Sequence, residues 1–171
     1  MKDIKSSKKE IGRLKEENHI ETLLNIYKWL RKQKYKDLSD TKSKRAFFRK
    51  RNASEILKDG FFSGCADYVI VAAHILRSFK IPTRIVQVVS LDWLKNKPSK
   101  IVGHVLLEIY IYNHWFVFDP SKGILGFDYS SLNFVAYKKG LNIQDINIKE
   151  LDELKVKLDR FKKYWRKKNI K

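Results

Sequence analysis

Apolar residues recur at helical spacing in three stretches of this chain and at strand spacing in three others. Ser7 and Glu10 have capping-box spacing, so a helix is expected to start there and run through Ile11, Leu14, Ile20, Leu23, Leu24, Tyr27 and Leu30. Glu16 and Glu17 fall on its polar side. After a polar connection, Asp37 to Lys44, a short helix should be capped by Asn52, run through Leu57 and stop at Gly60. A third helix follows from Cys65 with Ala66, Val69, Ala72, Ala73 and Leu76 on or near one face. It ends near Phe79, since Pro82 cannot continue it. Gly64 precedes it, where a small residue can relieve crowding at a sharp entry.

Thr83 to Leu91 reads as a strand, and Asp92 to Lys100 as a polar loop carrying Trp93 and Pro98. Gly103 to Tyr112 and Trp115 to Pro120 read as two adjacent antiparallel strands joined by a tight turn. Gly123 to Val135 is mixed, with Tyr129, Leu132 and Phe134 able to pack, and Lys138-Lys139-Gly140 reads as a turn. A final helix from Asn147 or Ile148 carries Leu151, Leu154, Leu158, Phe161 and Trp165 at near-heptad spacing among strongly charged faces. This pattern predicts an α+β fold: one helix packed on an antiparallel sheet, flanked by N- and C-terminal helices.

At 171 residues the chain suits a single domain over 1–171, with a core at about 20–137 and a basic helix at about 147–168. Its single cysteine excludes an intramolecular disulfide. His19, His74, His104 and His114 are not at zinc spacing, so no metal and no cofactor is called for. The first residues lack the apolar core of a signal peptide, and no apolar run reaches the ~18 residues of a membrane helix, so a cytoplasmic location is expected. There are 37 basic against 19 acidic residues, a formal net charge of +18. That field favours polyanions, and the basic C-terminal helix, Lys162 to Lys171, is the expected contact. Lysine far outnumbers arginine and the basic residues match no nucleic-acid motif, so a solvated surface explains much of the charge.

The chemistry concentrates at three positions. Cys65 falls in the first turn of its helix, where unpaired N–H groups and the helix dipole favour the thiolate. His104 lies on one strand of the hairpin and Asp119 at the end of the next. A thiol, an imidazole and a carboxylate are the parts of a nucleophile, its base and the base's orienter. With the turn at Asn113-His114, Asp119 faces Glu108. With the turn at Tyr112-Asn113 it faces Leu106, and His104 becomes a diagonal neighbour within reach. Both registers keep His104 and Asp119 on one face, and a working triad needs the second. Glu108 shares that face and is the rival carboxylate. His114 belongs to the turn, His74 lies about 13 Å along the helix from Cys65, and Asp67 is expected to be structural, pointing away from the thiol.

Gly64-Cys65-Ala66-Asp67-Tyr68, Ile81-Pro82-Thr83-Arg84, Gly103-His104, Trp115 and Asp119-Pro120 together resemble the transglutaminase-like superfamily, a branch of the papain-like cysteine enzymes. Tyr27-Lys28-Trp29-Leu30 with Tyr35 resembles that family's helix before the nucleophile, and Ala53 to Leu57 the short helix leading to it. Lys139-Gly140-Leu141-Asn142 and the charged helix after it resemble the tail of bacterial members. One departure is Lys80, where the family often has glycine, which reads as a different turn. The resemblance implies a papain-like core with Cys65, His104 and Asp119 as the catalytic set. It implies an oxyanion site built from the Cys65 backbone N–H and an upstream aromatic residue, for which Trp29 is the candidate. Phe62 and Trp93 are candidates for the wall of a substrate groove.

The expected activity is acyl transfer from a peptide or glutamine-type amide through a thioester, with hydrolysis favoured over transamidation and a peptide or protein as substrate. The alternative is a catalytically silent module of the same fold that binds a polyanion or a protein partner through its basic surface.

Overall fold

A computed structural model describes residues 9–96 and 102–169, so the expected cap at Ser7 lies outside the described residues. The expected first helix is interrupted. A helical stretch covers 9–12, and helix α1, His19–Arg31, starts afresh where the Asn18 side chain accepts the Ile20 N–H at 2.8 Å. The break is held by Thr22, whose hydroxyl accepts from the Glu16 N–H at 2.9 Å and donates to the Glu16 carbonyl at 3.2 Å. Leu23, Ile26 and Leu30 of α1 are buried, whereas Ile20 and Leu24 are exposed, so the apolar stripe is narrower than the spacing suggested.

The expected polar connection contains a helix, α2 (Thr41–Phe47), capped by Asp40, whose carboxylate accepts the Ser43 N–H at 2.7 Å. Helix α3 (Ala53–Asp59) has the predicted ends: a capping box between Asn52 and Glu55, and Gly60 in the left-handed conformation at φ 72°. Helix α4 (Cys65–Ser78) begins at the cysteine. Gly64 relieves no crowding there. Its backbone is extended, and a Cβ added to it would meet nothing within 4 Å.

Five strands follow: β1 (Thr83–Ser90), β2 (Gly103–Ile111), β3 (His114–Asp119), β4 (Ile124–Gly126) and β5 (Phe134–Gly140). They form one antiparallel sheet in the order β4-β3-β2-β1-β5. Between β1 and β2 a short helix, α5 (Leu91–Lys95), replaces the first part of the expected loop, capped by the Ser90 hydroxyl. Lys138 to Gly140 form the end of β5 and not a turn. This strand pairs only with β1, and lysines are at home on such an open edge.

Alternation along β2 divides the interior. Val105, Leu107, Ile109 and Ile111 join Val69, Ala72, Ala73 and Leu76 of α4 in the main core, while Leu106 joins Val86, Val88 and Val117 in a smaller one. Tyr129, Leu132, Phe134 and Ala136 cover the smaller core, the packing expected of that mixed segment. The last helix, α6 (Leu151–Asn169), starts later than expected, after Asn147 turns the chain with φ 58°. Leu158 of α6 is fully buried, and Leu154, Phe161 and Trp165 pack beside it. The helix passes close over the start of β2: a Cβ on Gly103 would come to 3.0 Å from Leu158.

Lys80 joins α4 to β1 at φ 67°. The expectation of a different turn is therefore corrected: lysine here adopts the left-handed conformation that favours glycine. Lys80→Gly is expected to raise the unfolding free energy by about 0.5–1 kcal/mol, because removing the Cβ strain outweighs the added freedom of the unfolded chain. Urea denaturation would read this, and a loss of stability would contradict the strain argument.

Candidate active site

The first turn of α4, the start of β2 and the end of β3 converge at one end of the sheet. The turn joining β2 to β3 is Tyr112-Asn113, both residues at positive φ (50° and 60°), which is the hairpin geometry matched to strand twist. Ile111 then faces His114 and Leu107 faces Phe118. This is the second of the two registers considered, and it makes His104 and Asp119 diagonal neighbours. His104 Nε2 lies 2.7 Å from Asp119 Oδ2. The other Asp119 oxygen accepts from both the N–H and the O–H of Ser121, at 2.9 and 2.6 Å. Asp119 is buried and His104 nearly so, with 3% and 13% of their side chains exposed.

Cys65 closes the set. Its thiol lies against the His104 imidazole and the Val105 N–H, both of which favour the thiolate. With Nε2 turned to Asp119, Nδ1 is the nitrogen left for the sulfur. Burial pushes the Cys65 thiol up, but the His104 hydrogen bond and charge, the Val105 N–H and the Arg49 charge outweigh it, so the thiol titrates below its ordinary value. Burial pulls His104 down, but the bonds and charges of Asp119 and Cys65 raise it to about 9. Asp119 is raised by burial and lowered further by His104 and Ser121, to a net value below the usual carboxylate range. All three shifts favour a thiolate–imidazolium–carboxylate line.

The rival carboxylate is occupied elsewhere. Glu108 Oε1 accepts from the Tyr129 hydroxyl at 2.5 Å and from Lys139 at 2.6 Å, on the face of the smaller core. His74 and His114 are exposed and remote from the thiol. Asp67 is buried and turned away from the sulfur. Its Oδ2 accepts from Arg51 at 2.6 Å and from the N–H and O–H of Ser63 at 2.8 and 2.7 Å, which fixes the turn just before the cysteine.

Three expected site residues are placed elsewhere. The Trp29 indole N–H donates to Glu10 at 3.4 Å, in a cavity shared with Gln33, Ile56 and Phe62 and not with Cys65. Phe62 is 2% exposed and stacks on Tyr68 at 4.8 Å, because a β-bridge with Tyr35 draws it inward. Trp93 is 3% exposed beneath the Lys162 ammonium, which lies 4.3 Å from its ring. Both are core residues and neither lines a cavity that reaches the thiol.

The cavities that do reach Cys65 are lined differently. One, of about 360 Å³, is open and contains Arg31, Tyr35, Tyr68 and Ser121. The other, of about 210 Å³, is walled by Leu38, Phe47, Phe48 and Leu151, with Arg49 and Lys44 as its cations. Arg49 stands in the basic run from Lys44 to Arg51, which by itself assigns it no role. It is buried, donates to the Ile148 carbonyl at 3.3 Å and to the Gln87 side-chain oxygen, and stacks on Phe48 at 5.0 Å. Gln87 in turn donates to the main-chain carbonyl of His104 at 2.8 Å, tying the buried guanidinium to the histidine's backbone.

The sequence model of the transglutaminase-like superfamily matches residues 7–120. None of the curated proteins matches the chain in sequence. Among solved structures, a protein of Cytophaga hutchinsonii provisionally described as a cysteine protease is similar over 82% of this chain and 42% of its own, with TM-score 0.58 and 21% identity. The chain thus spans well under half of that relative. Calcium-bound LapG of Legionella pneumophila is similar over 77% of this chain and 70% of its own, with TM-score 0.58 and 16% identity. A second LapG structure covers 91% and 83%, with TM-score 0.56 and 16% identity.

Proposed function

Since the chain belongs to the transglutaminase-like superfamily and shares its papain-like fold, we propose that it is a cysteine-dependent acyl-transfer enzyme with Cys65, His104 and Asp119 as its catalytic set. The observation that carries this reading is the His104–Asp119 hydrogen bond at 2.7 Å between nearly buried side chains, with the Cys65 thiol beside the same imidazole. His104 takes the thiol proton on Nδ1, and Asp119 keeps Nε2 protonated and stabilises the imidazolium. The thiolate attacks an amide carbonyl. The Cys65 backbone N–H, at the first position of α4 and so without a partner inside the helix, supplies one donor to the oxyanion in this reading. The imidazolium then protonates the leaving amine, and water deprotonated by His104 cleaves the thioester to acid and free thiol. Hydrolysis of a peptide bond is favoured over transamidation, in line with the description of the Cytophaga relative. Trp29, spent on Glu10, is not part of the oxyanion site in this reading.

The test is the rate of Cys65 alkylation by iodoacetamide across pH, in the wild type and in His104→Ala. The wild-type rate is expected to persist well below the free-thiol value of ~8.5. The variant should react only as the thiol ionises on its own, at or above that value. Identical curves centred on the free-thiol value in both proteins would sink the catalytic reading. They would leave the basic surface as the working part, with polyanion binding as the next assay.

A further inference from the structure

We infer that the cavity bounded by α2, the Ser63–Asp67 turn and Leu151 receives an acidic side chain, that of the substrate residue whose carbonyl carbon Cys65 attacks. The inference rests on the cysteine-enzyme reading and adds to it a substrate class. The cavity borders Cys65 itself, so a side chain next to the reacting carbonyl has a direct way in. Its walls are apolar: Leu38, Phe47, Phe48 and Leu151. Two cations face it, Lys44 at the exposed rim and Arg49 within. Arg49 is 7% exposed and is held still by Ile148, Gln87 and Phe48, while its Nε–H has no hydrogen-bond partner. A guanidinium buried without a carboxylate is costly, and an incoming anion offsets that cost. Among the described residues, Asp67 is the one carboxylate in the lining, and its Oδ2 is engaged by Arg51 and Ser63. The methylenes of a glutamate would lie on the phenyl walls and its carboxylate would face the cations. A lysine would meet like charge, and a glutamine would lose the ionic part of the contact.

The experiment uses three peptidyl chloromethyl ketones, acetyl-Ala-Ala-Xaa-CH2Cl, with Xaa Glu, Gln or Lys. The thiolate displaces chloride fastest when Xaa occupies the acyl-side cavity, beside the reacting carbonyl. Iodoacetamide measures intrinsic thiol reactivity in each protein, so ratios between probes cancel any change in the thiol itself. The wild type is expected to react with the Glu probe about tenfold faster than with the Gln probe, the size of a charge-assisted contact. The Lys probe should be slowest. Arg49→Gln should bring the Glu-to-Gln ratio to within about twofold of unity. Lys44→Ala, at an exposed position that tolerates substitution, should lower the ratio severalfold whether or not Arg49→Gln folds. An activated thiol with equal Glu and Gln rates overturns this inference alone, as does a Glu preference unchanged in Lys44→Ala. A wild-type thiol that iodoacetamide shows to be unactivated overturns the enzyme reading and this inference with it.

Discussion

Asp119→Asn is expected to lower peptide-bond cleavage by a factor of about 10³–10⁴ with little change in fold, the size typical of losing the orienting carboxylate of a triad. The argument is one of tautomers. In the wild type, Nε2–H donates to Asp119 Oδ2, and Nδ1 is free to accept the thiol proton. An asparagine that keeps its oxygen on Ser121 presents its NH2 to Nε2. The neutral ring must then carry its proton on Nδ1, where it cannot act as a base. The same variant should narrow the pH range of activity. The ion pair opens on the acid side as Cys65 ionises, below the ordinary thiol value, and closes on the basic side as His104 loses its proton near 9. Without the Asp119 carboxylate the basic limb should move down. Stability follows the same groups with opposite signs. His104, raised above its ordinary 6.5, stabilises the fold fully below that pH, and this contribution fades as pH rises through about 9. Asp119, lowered below its ordinary 3.8, stabilises above that pH, and this contribution fades as pH falls through its folded value. Cleavage rates from pH 5 to 10 would check the first pair of claims. A variant within tenfold of wild type would refute the tautomer argument.

The second large effect is on the fold. Asp67→Ala is expected to cost about 3–5 kcal/mol, the usual loss when one partner of a buried ion pair is removed. Asp67 and Arg51 have 4% and 7% of their side chains exposed and meet at 2.6 Å. Arg51 also donates to Asp59 at 2.9 Å and lies against the rings of Phe47 and Phe61, at 4.9 and 4.4 Å. Truncating Asp67 leaves that buried guanidinium with the half-exposed Asp59 as its carboxylate partner, beside longer bonds to the Phe61 carbonyl and the Ser63 hydroxyl. It also strips Ser63 of both of its bonds to the carboxylate, freeing the turn before Cys65. Urea denaturation should show a large drop in midpoint, and iodoacetamide should react more slowly at neutral pH as Cys65 loses its alignment with His104. A loss under 1 kcal/mol would mean that water or Asp59 replaces the pair.

The parts that the chain announced were those encoded locally. The apolar spacing after Cys65, the Asn52 cap with Gly60, and the β-branched runs around His104 and Asp119 each state their own structure within a few residues. The meeting of Cys65, His104 and Asp119 was legible because these residues stand at element ends that sequence can locate. What failed was direction. Trp29, Phe62 and Trp93 are large aromatics near the right segments, and spacing does not say which way an indole or a phenyl ring points once the core closes. Arg49, Gln87 and Ser121 went unread for a related reason. Arg49 and Gln87 acquire their roles only when β1, the basic cluster and the segment before α6 meet, across 38 and 99 residues of sequence. Ser121 is closer to hand, two residues past Asp119, where an aspartate accepting from the residue two places on is a common turn. Lys138 to Gly140 misled because two lysines and a glycine suit both a turn and an open sheet edge.

The Tyr112-Asn113 turn sits at the far end of the hairpin from the reacting atoms, yet it decides who meets whom there. Side chains alternate with a period of two, so one residue more or fewer in that turn would send Asp119 to the opposite face of β3 and leave His104 without a partner. The turn is therefore constrained in length as well as by the positive φ of both its residues. In this chain, the arithmetic of a two-residue loop is what sets Asp119 beside His104.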